Sequence, residues 1–309
     1  MVHMNTYALW TNDVETTSIW FNSLRDETGK KVLDIGVPLL LELYDKYSIK
    51  CTFFLTGYIS KLFPQIVRLI SENGHEIGSH GMYHTKECGF DIMPYDKQVQ
   101  QLKESKKILE DICGKEVICF RAPALRISSY TAKALLESGF LVDSSVASQR
   151  FDFFLSFGSK SKLKWIYSPR LPYNTSNENI YQKGNSKLIE IPLSAFVFPY
   201  VGTFMRISPF CSDIIRYILA KESIISGKPI VFDIHPNEFI DESDQVRIIS
   251  RRSHSFISYL LKDLFRSKLK VRNLGYSALS LYEKQIKYFK NLGFVSTTIK
   301  NYCKAEGLL

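Results

Sequence analysis

Short apolar runs alternate along the chain with longer stretches in which apolar residues recur every three or four positions. The short runs have the length and the β-branched or aromatic content of buried strands, and the longer stretches have the period of amphipathic helices. Strands are predicted at residues 7–10, 51–55, 75–78, 117–120, 140–142, 188–191, 229–234 and 294–296. Helices are predicted at residues 36–47, 60–73, 95–113, 129–138, 209–222, 244–271 and 277–291. Strands that alternate with helices in this way are typical of a mainly parallel α/β fold.

The number of strands favours a sheet that closes on itself. About seven strands with interleaved helices suit a distorted (β/α) barrel better than an open sheet, whose two edge strands would need protection. A length of 309 residues fits one such domain over residues 1–309. Two regions depart from the alternation. Residues 148–187 are predicted to form an excursion over the barrel mouth, and residues 244–309 a basic helical C-terminal part.

Composition excludes several classes of protein. Hydrophobic residues make up 45% of the chain and charged residues 23%, which argues against a disordered or fibrous protein. The apolar runs are far shorter than the ~18 residues that a membrane span needs, and the first 30 residues lack the apolar core of a signal peptide. The six cysteines are scattered without a C-x-x-C pair, which argues against a disulfide framework or a zinc ribbon. We therefore expect a cytoplasmic protein with reduced thiols.

The formal net charge of +9 is concentrated near the C-terminus. Residues 247–272 hold eight Lys and Arg and one acid, Asp263, so this stretch contributes 8 − 1, or +7. Apolar spacing within residues 256–265 predicts a basic amphipathic helix. The ordinary interpretation is an outer barrel helix with a solvated basic face. The alternative is peripheral contact with the anionic inner face of the membrane, near a lipid-linked glycan carrier. No recognition motif accompanies the charge, so a nucleic-acid partner is not expected, and the oligomeric state is open.

The candidate chemistry falls into four clusters that each follow a predicted strand. They are residues 11–15, 74–84, 120–124 and 232–238. His80 and His84 are four residues apart and can reach a common metal ion, although such a pair is often incidental. Asp13 and Glu15 can divide cation binding and proton abstraction, although alone they are typical of a polar turn. Because the carboxyl ends of parallel strands meet at one rim of a barrel, the four clusters together predict an active site there.

These motifs, in this order, resemble those of the polysaccharide deacetylases, the NodB-homology family, over roughly residues 7–239. The most specific part is the run Ser-His-Gly-Met-Tyr-His at residues 79–84. The resemblance implies a distorted (β/α) barrel of the deacetylase type, a metal held by His80 and His84, and Asp13 as the catalytic base.

The resemblance also implies roles for residues in the later motifs. Arg121 would hold Asp13 ionised, the backbone N–H of Ala124 would stabilise an oxyanion, and His235 would protonate the leaving amine. Supporting roles would fall to Pro123, Asp143 and Glu238.

The first and fourth motifs depart from the family pattern. Where the commonest form has two adjacent aspartates, this chain has Asp13-Val14-Glu15, so the third metal ligand is Glu15 or Asp13. The tryptophan of the fourth motif is not evident, because Asp143-Ser144-Ser145 occupies that region. The residue that tunes His235 is therefore open.

The function implied is metal-dependent hydrolysis of an N-acetyl group on an amino sugar, within a polysaccharide or a glycan precursor, with one divalent cation, zinc first among the candidates. Hydrolysis of another non-peptide C–N bond, as in allantoinases, and a catalytically silent glycan-binding barrel are the alternatives. We expect about two aromatic residues of the excursion and its surroundings to stack on sugar rings, from the set Phe151, Phe153, Phe154, Trp165, Tyr167, Tyr173, Tyr181, Phe198 and Tyr200.

Overall fold

A curled, mainly parallel sheet forms the centre of the computed structural model, which describes residues 5–150, 160–247, 256 and 259–309. The strands, in chain order, are β1 (Tyr7–Val14), β2 (Thr17–Ser18), β3 (Ser23–Leu24), β4 (Thr52–Leu55), β5 (Glu76–Ser79), β6 (Cys119–Phe120), β7 (Val142–Asp143), β8 (Tyr173–Asn174), β9 (Ile189–Glu190), β10 (Ala195–Phe196), β11 (Phe198–Pro199), β12 (Ile230–Ile234) and β13 (Val295–Ser296). Every predicted strand has a counterpart, although several are shorter than the apolar run that predicts them.

Seven strands of the described sheet follow one another in parallel, in the order β12-β1-β4-β5-β6-β7-β9. β8 extends the path antiparallel to β9, and β13 pairs with the start of β1. The segment 193–201 links the two ends of the path. Ala147 pairs with Leu193, Val201 pairs with Asp233, and the Ser194 backbone N–H donates to Val231. The predicted distorted barrel of about seven strands is confirmed.

Helices cover the outside of the sheet. They are α1 (Asp26–Lys31), α2 (Val37–Lys46), α3 (Gly57–Leu62), α4 (Pro64–Glu72), α5 (Tyr95–Cys113), α6 (Thr131–Glu137), α7 (Gly202–Ile207), α8 (Pro209–Ser226), α9 (Arg266–Lys270), α10 (Tyr276–Asn291) and α11 (Ile299–Ala305). The helix predicted at 60–73 is two helices, because Pro64 lacks the N–H that would continue the first and instead begins the second. The helix predicted at 95–113 has those bounds and ends at Gly114 in the left-handed conformation. The pattern did not predict α1, α7 or α11.

The core is built around β1 and β12, where α10 packs on their outer face. Trp10 and Phe232 are fully buried and contact the Tyr282 ring at centroid distances of 5.6 and 5.4 Å. The indole N–H of Trp10 donates to Ser296 in β13. β1 is therefore paired on both sides and buried along its whole length.

The two regions that break the alternation are partly described. In the excursion, a 3₁₀ segment (Lys160–Tyr167) precedes β8, while the stacking candidates Phe151, Phe153 and Phe154 lie outside the described residues. Near the C-terminus, a π-helical segment (Tyr259–Phe265) leads into α9. Residues 248–255, and with them part of the predicted basic helix, also fall outside the described residues, so membrane contact by this region stays a prediction.

Two smaller expectations can be compared with the structure. All six cysteines are free thiols, as the scattered spacing predicts. Among the described helices, none combines the length and apolarity that crossing a bilayer requires.

Candidate active site

The predicted clusters converge at the carboxyl ends of the parallel strands. Asp13 lies near the end of β1, His80 directly follows β5, Arg121 follows β6 and His235 follows β12. Oδ1 of Asp13 lies 3.0 Å from Nη1 of Arg121, and Oδ2 lies 3.7 Å from Nε2 of His80. Strand order alone accounts for this meeting, since each residue ends or follows a strand of the same parallel sheet.

The guanidinium of Arg121 is the centre of the buried polar network. Nη1 donates to Asp13 Oδ1, to Asp233 Oδ1 at 2.8 Å and to Thr11 Oγ1 at 2.8 Å. Nε and Nη2 donate to the backbone oxygen and hydroxyl of Ser144. Arg121 is fully buried, so these contacts replace the water that it would otherwise hold.

The two carboxylates that share Arg121 do not have the same proton affinity. Burial alone would raise the pKa of Asp13, but the charges of His80 and Arg121 outweigh it and hold this pKa below its usual value. His80 has a pKa of about 4 and is neutral near pH 7, so Arg121 and His235 are the cations that lower the pKa of Asp13 there. Burial and the neighbouring Asp13 raise the pKa of Asp233 to about 7, although Arg121 opposes them. One carboxylate of the pair is thus kept ionised while the other holds a proton near neutrality.

Glu15 and the two motif histidines lie together on the other side of Asp13. Glu15 Oε2 is 3.0 Å from His84 Nδ1, and the rings of His80 and His84 stack at a centroid distance of 5.5 Å. Despite its burial, Glu15 has a pKa lowered to about 2, because His84 stabilises its charged form. Successive side chains of an extended strand point to opposite sides, so Asp13 and Glu15 share a side and Val14 faces away into the core.

His80 is oriented as a metal ligand usually is. Its Nδ1 lies 2.9 Å from the backbone oxygen of Arg121, which fixes the proton on that nitrogen and leaves the Nε2 lone pair available. Burial lowers the pKa of His80 to about 4, so the ring is neutral.

The donors near His80 fit a divalent cation. Nε2 of His80 is buried and has no hydrogen-bond partner among the residues that the structure describes, while the buried Oε2 of Glu15 pairs with His84 Nδ1 at 3.0 Å. Buried polar atoms are normally paired, so an unpaired imidazole nitrogen close to a buried carboxylate indicates a place where a cation can bind. His80, His84 and Glu15 can therefore supply the two nitrogens and one oxygen of such a site.

A second group of possible ligands overlaps this one. Asp13, Asp233 and His235 carry ligand atoms that lie within 4.8 Å of one another. Arg121 already donates to both aspartates, so a cation held by them would lie beside a fixed positive charge. The charge of Arg121 therefore disfavours a cation at this second group, whose ligand atoms are the ones that already lie close together among the described residues.

His235 is held by a carboxylate three residues further on. Glu238 Oε1 accepts from His235 Nδ1 at 3.1 Å and from the His235 backbone N–H at 3.3 Å. Burial would lower the pKa of His235, but the hydrogen bond to Glu238 and the charges of Asp233 and Asp13 raise it to about 10. Glu238 and Asp233 are therefore the acidic neighbours that raise the pKa of this histidine the most.

Asp143 has other partners. Its Oδ1 accepts from the Ser145 hydroxyl, which in turn accepts from the Ala122 backbone N–H. Asp143 also pairs across β7 and β9 with Glu190, and burial raises the pKa of both carboxyl groups. The supporting role expected for Asp143 therefore takes the form of a brace under the loop that follows Arg121.

That loop has an unusual backbone. Ala124 and Leu125 both adopt left-handed conformations, with φ of 52° and 54°, in the turn that Pro123 begins. Such angles cost side-chain-bearing residues of the order of 1 kcal/mol each and are concentrated at functional sites. The turn redirects the backbone next to Arg121, where the resemblance places an oxyanion donor.

A cleft of about 460 Å³ opens beside the metal-ligand candidates. The residues that line it include Glu15, His84, Tyr58, Tyr83 and Arg25. The Tyr58 and Tyr83 rings lie 5.9 Å apart. These tyrosines were not among the predicted stacking residues, and of those candidates Trp165, Tyr173 and Tyr200 are buried.

Sequence reasoning gave no role to two charged residues of this network. Asp233 belongs to the predicted cluster 232–238 but lies inside the apolar run that becomes β12, and Arg206 lies in α7, which the pattern did not predict. Both are single charges in apolar surroundings, which are costly unless paired, and this is the signal that could have identified them.

Comparisons with known proteins agree with the motifs. The polysaccharide deacetylase family model matches residues 33–142. The peptidoglycan deacetylase of Helicobacter pylori is 27% identical over 146 residues, which is 45% of this chain and 49% of that protein. The chain thus spans about half the length of this curated relative. The family model confirms the resemblance to polysaccharide deacetylases over residues 33–142, which include His80, His84 and Arg121.

Solved structures confirm the fold. An allantoinase superposes with a TM-score of 0.60 at 16% identity, covering 98% of this chain and 91% of the other. A family 4 carbohydrate esterase from Streptomyces lividans, in complex with acetate, has a TM-score of 0.50 at 10% identity and covers 96% and 94%. At such identities the likeness concerns the barrel and not its chemistry.

Proposed function

We propose that the protein is a metal-dependent hydrolase that removes the N-acetyl group from an amino sugar in a polysaccharide or a glycan precursor. One observation carries the proposal. An ionised Asp13 paired with Arg121 lies directly beside His80, in a site where the buried Nε2 of His80 has no hydrogen-bond partner among the described residues and the buried Glu15 pairs with His84.

The carboxylates divide two tasks that the sequence could not separate. Glu15 belongs with His80 and His84 as the third ligand, because it faces His84 and Arg121 donates to Asp13 instead. A divalent cation held there, zinc first, would polarise the amide carbonyl and lower the pKa of a water molecule. Asp13, which Arg121 keeps ionised, takes the proton from the attacking water.

The remaining residues act on the two ends of the scissile bond. The backbone N–H of Ala124 donates to the carbonyl oxygen as negative charge develops on it. His235, positively charged near neutrality, donates its proton to the amine nitrogen as the C–N bond breaks. The products are acetate and a free amino sugar, and Pro123 contributes by starting the turn that presents Ala124.

Acetate release from N-acetylglucosamine oligomers, measured with metal-loaded and chelator-treated protein, tests this function. We expect release by the loaded protein, loss on chelation and recovery on adding zinc. His80→Ala and Glu15→Gln should lose both bound metal and activity, while Glu116→Gln, at an exposed site, should lose neither.

Two outcomes would contradict the proposal. Full acetate release by chelated protein, or by His80→Ala, would remove the cation from the chemistry. Hydrolysis of allantoin without acetate release would assign the site to another C–N bond, in keeping with the shared barrel fold.

A further inference from the structure

The carboxylate of Glu238 joins His235 to a buried arginine. Oε1 accepts from His235, and Oε2 accepts from Nε of Arg206. Glu238 and Arg206 are both completely buried. A buried ion pair is costly to form and is normally kept only where its geometry and hydrogen bonding are complete.

The helix that carries Arg206 is shaped to admit this carboxylate. Gly202 begins α7, and a Cβ at this position would lie 2.6 Å from Glu238 Oε1 and 2.6 Å from Ile234 Cγ1. Any larger residue would therefore push Glu238 away from His235. Arg206 lies one helical turn further on, where it meets the other oxygen of the same carboxylate.

The C-terminal segment completes the arrangement. Nη1 of Arg206 donates to the backbone oxygens of Lys270 and Arg272, at 2.7 and 2.8 Å. Asn273 donates to the Arg206 backbone oxygen, and the Gly275 backbone N–H donates to that of Glu238. Residues 270–275, which begin at the end of the basic region, thus contact both members of the ion pair through backbone groups and the Asn273 side chain.

We propose that Arg206 and Glu238 are positioning residues for protonation of the leaving amine, and that residues 270–275 brace them. The proposal rests on the proposed function. Glu238 fixes a proton on Nδ1 of His235 and so dedicates Nε2–H to the reaction. As the C–N bond breaks, its electron pair stays on nitrogen, the Nε2 proton passes to that nitrogen, and His235 becomes neutral.

The leaving group distinguishes this role from general structural support. A sugar amine must be protonated to leave, whereas 4-nitrophenolate leaves as a stable anion. With metal-loaded protein, Glu238→Gln should lower kcat for acetate release from the N-acetylated oligomer by about 100-fold. KM should change little, and hydrolysis of 4-nitrophenyl acetate should stay within a few-fold of wild type.

Two further variants should show the same preference for loss of amide over ester hydrolysis. Arg206→Lys keeps the charge but cannot donate to Glu238 and to two carbonyls in the same geometry, so it should show a smaller loss with the same substrate selectivity. Gly202→Ala should also affect the amide more than the ester. The matched control is Glu222→Gln, which breaks another Arg–Glu pair, with Arg170, and should leave the ratio of the two activities unchanged.

Equal losses on amide and ester, or no loss on either, would overturn the proposal. If the wild-type protein cleaves the ester too slowly for comparison, a second measurement replaces it. In that measurement kcat is determined for a series of substituted acetanilides and plotted against the basicity of the leaving amine. A steeper dependence in Glu238→Gln supports the proposal, and an unchanged slope contradicts it. A wild type that releases no acetate from any N-acetylated sugar would instead contradict the proposed function.

Discussion

Two pairs of buried carboxyl groups flank Arg121, and they differ in charge although they match in depth. Asp13 and Asp233 both accept a hydrogen bond from Nη1 of the arginine. Asp143 and Glu190 face each other across β7 and β9, and one oxygen of each lacks a hydrogen-bond partner outside the pair within the described chain. The pKa of Asp13 is lowered, whereas burial raises the pKa values of Asp143 and Glu190.

The difference shows that depth alone does not decide which carboxylate stays ionised. Asp13 and Asp233 both accept from Arg121, but only the pKa of Asp13 is lowered, whereas that of Asp233 is raised to about 7. The nearby cation thus keeps one member of the first pair ionised, and under the proposed function that member is the base. In the second pair, the carboxyl groups of Asp143 and Glu190 face each other. Burial favours a proton shared between them. The pair beside Arg121 lies on β1 and β12, and the pair whose pKa values are raised lies on β7 and β9.

The most direct test of this difference is to replace one carboxylate oxygen by an amide nitrogen in each pair. Asp13→Asn removes the base and should lower kcat for acetate release by about 1,000-fold. Asp143→Asn can still form hydrogen bonds to Ser145 and Glu190, so it should lower the same kcat by less than about 10-fold. Steady-state kinetics on one N-acetylated oligomer checks both values. Similar losses in the two variants would mean that the pairs do not differ in function.

Removing the shared cation tests why the pairs differ. Arg121→Met leaves Asp13 and Asp233 buried without a counter-charge and should cost about 3–5 kcal/mol of unfolding free energy. Arg121→Lys keeps the charge and should retain more stability, with activity reduced because one ammonium cannot replace the forked contacts. Urea denaturation followed by circular dichroism gives the free energies. A fully stable Arg121→Met protein would contradict the assigned charges.

The smallest effect concerns stability as a function of pH in the second pair. The pKa of Glu190 is raised above its ordinary 4.5, so the folded state binds this proton more tightly than the unfolded state. The stability it contributes is complete below pH 4.5 and is lost as pH rises through the folded pKa. Glu190→Gln should therefore gain stability relative to wild type as the pH rises above 4.5, and urea denaturation at several pH values measures the gain. A difference that stays constant with pH would show that the carboxyl is not protonated in the folded state.

Sequence patterns predicted the meeting of Asp13, His80, Arg121 and His235 because a single rule governs all four. Each ends or directly follows a strand of a parallel sheet, so strand order is enough to bring them together. The even spacing of Asp13 and Glu15 likewise places them on one side of the chain. The sequence does not show which of them pairs with which positively charged or basic side chain, because that depends on how Arg121 and His84 approach from other strands.

Contacts between distant side chains set the limit of prediction. Arg206 and Glu238 are 32 residues apart, and nothing local to either indicates the other. Asp233 is hidden for a different reason, because the apolar run around it describes a buried strand equally well with or without an acid. Its role follows only from the position of Arg121 across the barrel.

The place of Asp13 on β1 has a consequence for how such a scaffold can diverge. β1 is paired with β12 and β4 on its two sides, whereas His80 and His84 belong to the loop that follows β5. Under the proposed function, mutations in that loop can therefore change the cation preference while Asp13 and Arg121 keep their places at the ends of β1 and β6. Such a framework allows the metal chemistry to change without any change in the strands that hold the base.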